Sequence, residues 1–409
     1  MDRIVVVGAG HAGFQLAASL RTNNYRGEIS LLNGEPNRPY QRPPLSKGFL
    51  KTGRHDDLYF RNHDFFSGNS IDLIEDSADG IDRGARRLRT ATGSTLSYDH
   101  LVLATGTVNR ILEAPGVGPD VLYIKTLQDA EDLRSLMPRL RRAVVIGGGF
   151  IGLEFAAAAA EKGIAVEVVD TADRLMSRTA SRLVSRYFEA RLRGSGVGLN
   201  LNANVVAILR RDDRIEGVAL CDGREIPADT IVVGIGALPC QDIAARAGLD
   251  VNNGIVVDEY LLTSDSNISA IGDCAAFISP HANGRRIRLE CAQNAGDQAK
   301  CVAARLTGNP RPYISVPWFW SDQGSDRLQI AGLIDRHDLA VLRGSLEDRS
   351  FSVFCFRAGR LVGVESVNRA GDHILARRLL AAGTEFDPML AADTNFELKT
   401  LFTQHLQPI

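Results

Sequence analysis

Three glycines and a later acid recur twice in this 409-residue chain. Gly8, Gly10 and Gly13 follow the apolar run from Ile4 to Val7, and Gly147, Gly149 and Gly152 follow the run from Val144 to Ile146. In such a turn the first glycine permits the tight reversal, the second lets the backbone approach a pyrophosphate, and the third lets the helix pack on the strand. The helix that follows directs free N–H groups and a positive dipole end at the phosphates. Glu35 stands 22 residues after Gly13 and Asp170 18 residues after Gly152, where a carboxylate can accept both hydroxyls of an adenosine ribose. Two dinucleotides in one chain point to electron transfer between a flavin and a nicotinamide. Asp273 decides which site holds which, because a carboxylate after a glycine at a strand end can bond the polyol of a flavin dinucleotide and has no partner in NAD. FAD is therefore expected at the first turn and NADH at the second. Asp273 can also N-cap the Ala-rich segment that follows it.

Each turn needs a strand before it and a helix after it, and both copies supply them. An apolar β-branched run leads in, an Ala/Leu-rich helical pattern leads out, and further strands follow at Glu28 to Leu32 and at Ala165 to Val169. The strand at Asp99 to Gly106 has a counterpart at Thr230 to Gly236, and a returning strand of the first domain is placed at Asn267 to Asp273. The spacing of 139 residues between Gly8 and Gly147 suits two domains better than a short repeat. From Pro312 the pattern changes to clustered aromatics and alternating runs, which predict a third domain. The sequence thus predicts an α/β protein with two Rossmann-like dinucleotide-binding domains and a C-terminal α+β domain. The boundaries are 1–110 and 237–311 for the discontinuous FAD-binding domain, 111–236 for the NAD-binding domain and 312–409 for the last.

With 44% hydrophobic and 23% charged residues, the chain can build packed cores, and a net charge of -2 argues against a nucleic-acid binder. Charged residues interrupt every apolar stretch that could span a bilayer, so no membrane role is expected. The first strand starts at Ile4, leaving no room for a signal sequence, and a cytoplasmic location is the expectation. The six cysteines form no CxxC or CxxxxC pair, and none precedes Cys221. A disulfide reductase or NADH peroxidase of this architecture would need a redox cysteine early in the chain, so that chemistry lacks its nucleophile.

The motifs GAGHAGFQLA, PYQRPPLSK from Pro39 to Lys47, LATG, VVIGGGFIGLEFA, GIGALP, IGDCA and PWFWSDQ from Pro317 to Gln323 are spread over most of the chain. Together they resemble the FAD-dependent NADH–ferredoxin reductases typified by putidaredoxin reductase and by the ferredoxin reductases of aromatic dioxygenases. The resemblance implies a glutathione-reductase-like fold. It also implies hydride transfer from NADH to FAD, then single electrons to a [2Fe-2S] ferredoxin that feeds a haem-thiolate monooxygenase or a ring-hydroxylating dioxygenase. By motif position, Arg42, Lys47 and Arg110 lie along the FAD, with Lys47 near the reactive edge. Glu154 lies beside the nicotinamide and Trp320 against the flavin. A first-turn glutamate on a helix or a core tryptophan is the plainer reading of the last two. No metal site is expected. A rubredoxin reductase and an apoptosis-factor-like redox sensor remain alternatives.

Three consequences follow for the site. Lys47 and Glu154 are expected to pair, from two different domains. Asp170, where the family more often has Glu, is expected to favour NADH over NADPH, with Arg174 and Arg178 as groups that could instead accept a 2′-phosphate. Arg285, Arg286, Arg311 and Arg327 are candidates for a basic rim that draws an acidic partner. Cys291 varies within the family outline and is given no role.

Overall fold

The computed structural model describes residues 2–403. Contacts divide the chain into two units. One takes in residues up to Pro43, Arg54–Val108 and Ala237–Pro317; the other takes in Pro44–Gly53, Asn109–Gly236 and the chain from Trp318 onward.

In the first unit, the β-branched run Arg3–Val7 is the middle strand of a five-stranded parallel sheet. Its order is Ile268–Ala270, His100–Leu103, Arg3–Val7, Glu28–Leu32, Ile71–Ile74. Arg3–Val7, His100–Leu103 and Ile268–Ala270 are buried almost end to end, as strands covered on both faces are, while Glu28–Leu32 and Ile71–Ile74 keep exposed positions toward the edge. The helix His11–Thr22 turns Phe14, Leu16, Ala17 and Leu20 to the core. It packs against the helix Ala292–Leu306, whose Ala295, Ala299, Val302 and Ala303 recur at helical spacing on the facing side. Because the chain steps from the middle strand to one side and later to the other, a crevice opens at the carboxyl end of Arg3–Val7, where the first glycine turn lies.

The second unit repeats that arrangement. Its parallel sheet runs Gly198–Asn200, Ala165–Val169, Arg142–Ile146, Thr230–Val233, with the second glycine turn at the end of Arg142–Ile146. The helix that follows, Phe150–Ala160, is apolar throughout except for Glu154. The chain from Trp318 adds a five-stranded antiparallel sheet, ordered Trp318–Gln323, Asp326–Gly332, Arg360–Val367, Ser350–Arg357, Leu339–Ser345. The helix Ala370–Ala382 packs on it over Phe354, Phe356 and Val364. Among the described residues, no helix is long and apolar enough to cross a membrane.

One local expectation needs correction. The Ala-rich segment after Asp273 is a strand, Ala275–Ser279, and offers no helix start for Asp273 to cap; Asp273 sits in the short turn Gly272–Cys274. Pairing with Ile255–Val256 on one side and Arg285–Ile287 on the other overrides the helical preference of alanine. The segment Pro44–Gly53, placed by sequence in the first domain, clusters with the second unit. Side-chain contacts hold it there: Lys51 pairs with Glu161 at 2.7 Å and Gly53 abuts the Arg134 guanidinium.

Candidate functional site

The two glycine turns are built alike. Gly8 has φ +103°, and a Cβ there would lie 2.4 Å from the carbonyl oxygen of Ala104; Gly147 has φ +109°, with the carbonyl oxygen of Gly234 at 2.4 Å. A Cβ on Gly13 would fall 1.8 Å from the carbonyl oxygen of Gly8, and one on Gly152 would fall 2.4 Å from that of Gly147. The second glycine of each set faces open space. Nothing lies within 4 Å of a Cβ on Gly10, and the nearest atom to one on Gly149 is 4.0 Å away. Gly10 and Gly149 are also the N-caps of their helices, and neither helix start receives a side-chain cap. Closed backbone below, free space above and uncapped N–H groups fit the diphosphate of a dinucleotide.

In the first unit, Glu35 accepts hydrogen bonds from the Tyr40 hydroxyl at 2.5 Å and from the Arg42 guanidinium. Burial draws the Arg42 pKa down, but Tyr40, Glu35 and, more weakly, Asp273 outweigh it and raise the value. Arg42 therefore lies within the field of both predicted carboxylates, Glu35 and Asp273. His11, the first residue of the helix, joins this group. Burial, then the charge of Arg42, lowers its pKa to about 4, so it is neutral at physiological pH. Its ring and that of Phe60 stand nearly perpendicular, with centres 4.9 Å apart. Sequence reasoning missed His11 and Tyr40, although both stand inside quoted motifs.

In the second unit, the structure brings together Lys47, Glu154 and Trp320. Glu154 is 6% exposed, and its Oε1 accepts from Lys47 Nζ at 3.1 Å and from Ser321 Oγ at 2.7 Å, while its Oε2 accepts from Ser46 Oγ. Three donors offset the cost of burying the carboxylate. Lys47 Nζ also lies 3.2 Å from Asp322 Oδ2 and 5.8 Å from the centre of the Trp320 ring. A cavity of about 250 Å³, lined by Lys47, Lys51, Glu154 and Asp322 among others, opens beside them. Ser46, Ser321 and Asp322 were not singled out from sequence; they flank Lys47 and Trp320 in PYQRPPLSK and PWFWSDQ. Lys47 and Glu154 thus meet within one unit.

Asp170 turns inward. Its Oδ2 accepts the N–H of Gly148 at 2.5 Å and its Oδ1 accepts that of Ala172 at 2.7 Å. Arg174 is committed to its own loop, donating to the carbonyls of Ala180 and Ser177 and to Ser185 Oγ. Arg178 is exposed, with its guanidinium near Gly236. Arg110 is exposed and donates its backbone N–H to the carbonyl of Gly236, standing outside the Lys47–Glu154 cluster. Of the candidate rim arginines, Arg286, Arg311 and Arg327 are exposed; Arg327 lies 3.7 Å from Asp322. Cys291 Sγ caps the helix Ala292–Leu306 through the N–H of Asn294.

Residues 2–299 match the pyridine nucleotide-disulphide oxidoreductase family, and residues 318–402 match a reductase C-terminal domain. Rhodocoxin reductase of Rhodococcus erythropolis is 48% identical over 98% of this chain and 95% of its own. The crystal structure of the ferredoxin reductase for the CYP199A2 system from Rhodopseudomonas palustris superposes with a TM-score of 0.96 at 51% identity, covering 98% of this chain and 99% of that one. The covalent putidaredoxin reductase–putidaredoxin complex gives a TM-score of 0.95 at 35% identity, with 98% of each chain covered.

Proposed function

The chain belongs to the pyridine nucleotide-disulphide oxidoreductase family, and we propose that it is an FAD-dependent NADH:ferredoxin oxidoreductase whose acceptor is a [2Fe-2S] ferredoxin. The observation that carries this reading is the pair of matched glycine cradles, one in each unit, each fit for a dinucleotide diphosphate. Full-length likeness to rhodocoxin reductase and to the CYP199A2-system reductase supports the choice of acceptor and of a haem-thiolate monooxygenase, or alternatively a ring-hydroxylating dioxygenase, downstream. The reading assigns FAD to residues 1–110 and 237–311, NADH to 111–236, and a cytoplasmic location.

When bound, FAD supplies the conversion between a hydride taken from NADH and electrons released singly. The protein's part is to bind, orient and set the local field. Gly8, Gly10 and Gly13 hold the FAD diphosphate, Glu35 with Arg42 the adenosine end, and Asp273 the polyol. Arg110 serves as a further FAD contact. Gly147, Gly149, Gly152 and Asp170 hold NADH. Glu154 Oε1 and Asp322 Oδ2 hold Lys47 Nζ between them, which would fix the direction of its N–H donors toward a bound flavin. Trp320 supplies an aromatic wall. No early cysteine is present to divert the chemistry toward disulfides.

The test is direct. Isolated protein should carry the yellow flavin absorbance, lose it on addition of NADH without air, and then reduce [2Fe-2S] ferredoxins from the same source. Protein that binds no flavin, or that is reduced by NADH but passes electrons to none of those ferredoxins, would overturn the reading.

A further inference from the structure

Glu365 lies on the strand Arg360–Val367 of the C-terminal antiparallel sheet and is fully buried at 0% exposure, yet none of the chemistry above uses it. Its Oε1 accepts the backbone N–H of Ser181 at 2.8 Å, and Cys355 Sγ approaches its Oε2 at 3.9 Å. Ser181 in turn caps the helix Arg182–Gly194 through the N–H of Val184. Ser181 also ends the loop that begins at Asp170. At its far end this loop grips Gly148 by both backbone groups: Asp170 accepts the Gly148 N–H, and the Met176 N–H donates to the Gly148 carbonyl at 2.9 Å. Between the two ends, Arg174 ties Ser177, Ala180 and Ser185 into one piece. The same sheet holds the loop at a second point, where Gln323 Nε2 lies 3.6 Å from Met176 Sδ.

A carboxylate in the interior is costly, and an apolar residue of similar volume would fill the space without that cost. We infer that Glu365 is a positioning residue for the pyridine nucleotide: by fixing Ser181 it fixes the loop 171–181, and through that loop the Gly148 turn that receives the coenzyme. This rests on the reading that the second glycine turn binds NADH.

Burial pushes the Glu365 carboxyl up to about 7, while Ser181 and Arg174 pull the other way. The groups facing it are Arg174 and Ser181 from the loop and Cys355 from the neighbouring strand. The charge on Glu365 therefore changes around neutrality. Its ionised form holds the Ser181 N–H and Arg174 more strongly, so the loop is tightest on the alkaline side.

The experiment measures NADH oxidation by the flavin-loaded enzyme with ferricyanide as acceptor, over the pH range spanning neutrality, for wild type, Glu365→Gln, Glu365→Leu and Asp170→Asn. In wild type the KM for NADH should fall several-fold as pH rises through the neutral range, with a smaller change in kcat. Glu365→Gln keeps an acceptor oxygen but loses the charge, so its KM should stay flat at the acid-side value. Glu365→Leu should raise KM about tenfold on the alkaline side, the scale of one charge-assisted hydrogen bond. A flavin-loaded Glu365→Gln enzyme with the wild-type KM and pH profile overturns the inference, and that variant decides alone if Glu365→Leu does not fold. If wild type oxidises NADH and Asp170→Asn raises KM while Glu365→Gln changes nothing, only this inference fails. If wild type does not oxidise NADH, the functional reading fails and takes the inference with it.

Discussion

Between their first two glycines the turns carry Ala9 against Gly148, and at the strand that follows they carry Glu35 against Asp170. The differences belong together. A Cβ on Gly148 would stand 2.9 Å from Asp170 Oδ2 and 2.9 Å from Leu175 Cδ2, so the second turn has no room for the alanine that the first accommodates. Asp170 is one methylene shorter than Glu35, and it folds back onto the turn to cap the Gly148 N–H. Glu35 instead meets side chains, Tyr40 and Arg42. One turn is braced by a polar cluster beside it and the other by its own acid and the loop beyond. Two sites that look interchangeable in sequence therefore depend on different residues for their shape.

The largest effects should come from filling the cradles. Gly13→Ala drives a Cβ into the Gly8 carbonyl, so it should cost about 3 kcal/mol or more and leave protein without flavin, read by denaturant unfolding and by flavin absorbance. Gly152→Ala meets the equivalent carbonyl with a little more space, and it should keep flavin while losing NADH binding. Flavin loss in both would erase the distinction between the turns.

Next comes the cluster of the second unit. Glu154→Ala leaves Ser46 and Ser321 without their acceptor and Lys47 with Asp322 alone, and it should slow flavin reduction by NADH about a hundredfold, the scale of a misplaced reacting geometry. Flavin content should not change, because the first turn is untouched. Stopped-flow absorbance measures both.

A smaller effect separates the two acids. Gly148→Ala should push Asp170 aside and raise the KM for NADH about tenfold, whereas Ala9→Gly should cost about 1 kcal/mol of stability and little else. Wild type should prefer NADH, since Asp170 repels a 2′-phosphate and Arg174 is already engaged. Equal catalytic efficiency with NADPH would sink that reading.

The smallest effect concerns the surface. Raising salt should weaken ferredoxin-dependent turnover before it weakens ferricyanide reduction, because exposed charges are screened over about 8 Å at physiological ionic strength. Arg311→Glu or Arg327→Glu should raise the half-saturating ferredoxin concentration a few-fold. Indifference to salt and to both substitutions would leave docking to apolar contacts.

Sequence carried the parts of this molecule that are local. The glycine turns, their strands and their helices follow from residues within a short stretch, and so do the two acids at strand ends. What it could not carry was tertiary. Ser46 and Ser321 reach Glu154 across 108 and 167 residues of chain, and nothing in their own neighbourhoods marks them. The strand Ala275–Ser279 reads as helix until its partners on both sides are known. Glu365 sits in a stretch buried from Gly363 to Val367, where alternation gives no sign that a carboxylate points inward.

The bond from Ser181 to Glu365 links positions 184 residues apart and removes the modularity that a coenzyme loop is usually granted in protein engineering. A chimera that imports the segment 171–181 from another reductase inherits a splice whose fit depends on the far end of the chain. Where the recipient lacks a carboxylate at the place of Glu365, the imported Ser181 N–H is buried without its acceptor. A graft meant to change coenzyme choice must therefore carry the matching residues of the C-terminal sheet, and the unit of exchange is the loop together with its distant anchor.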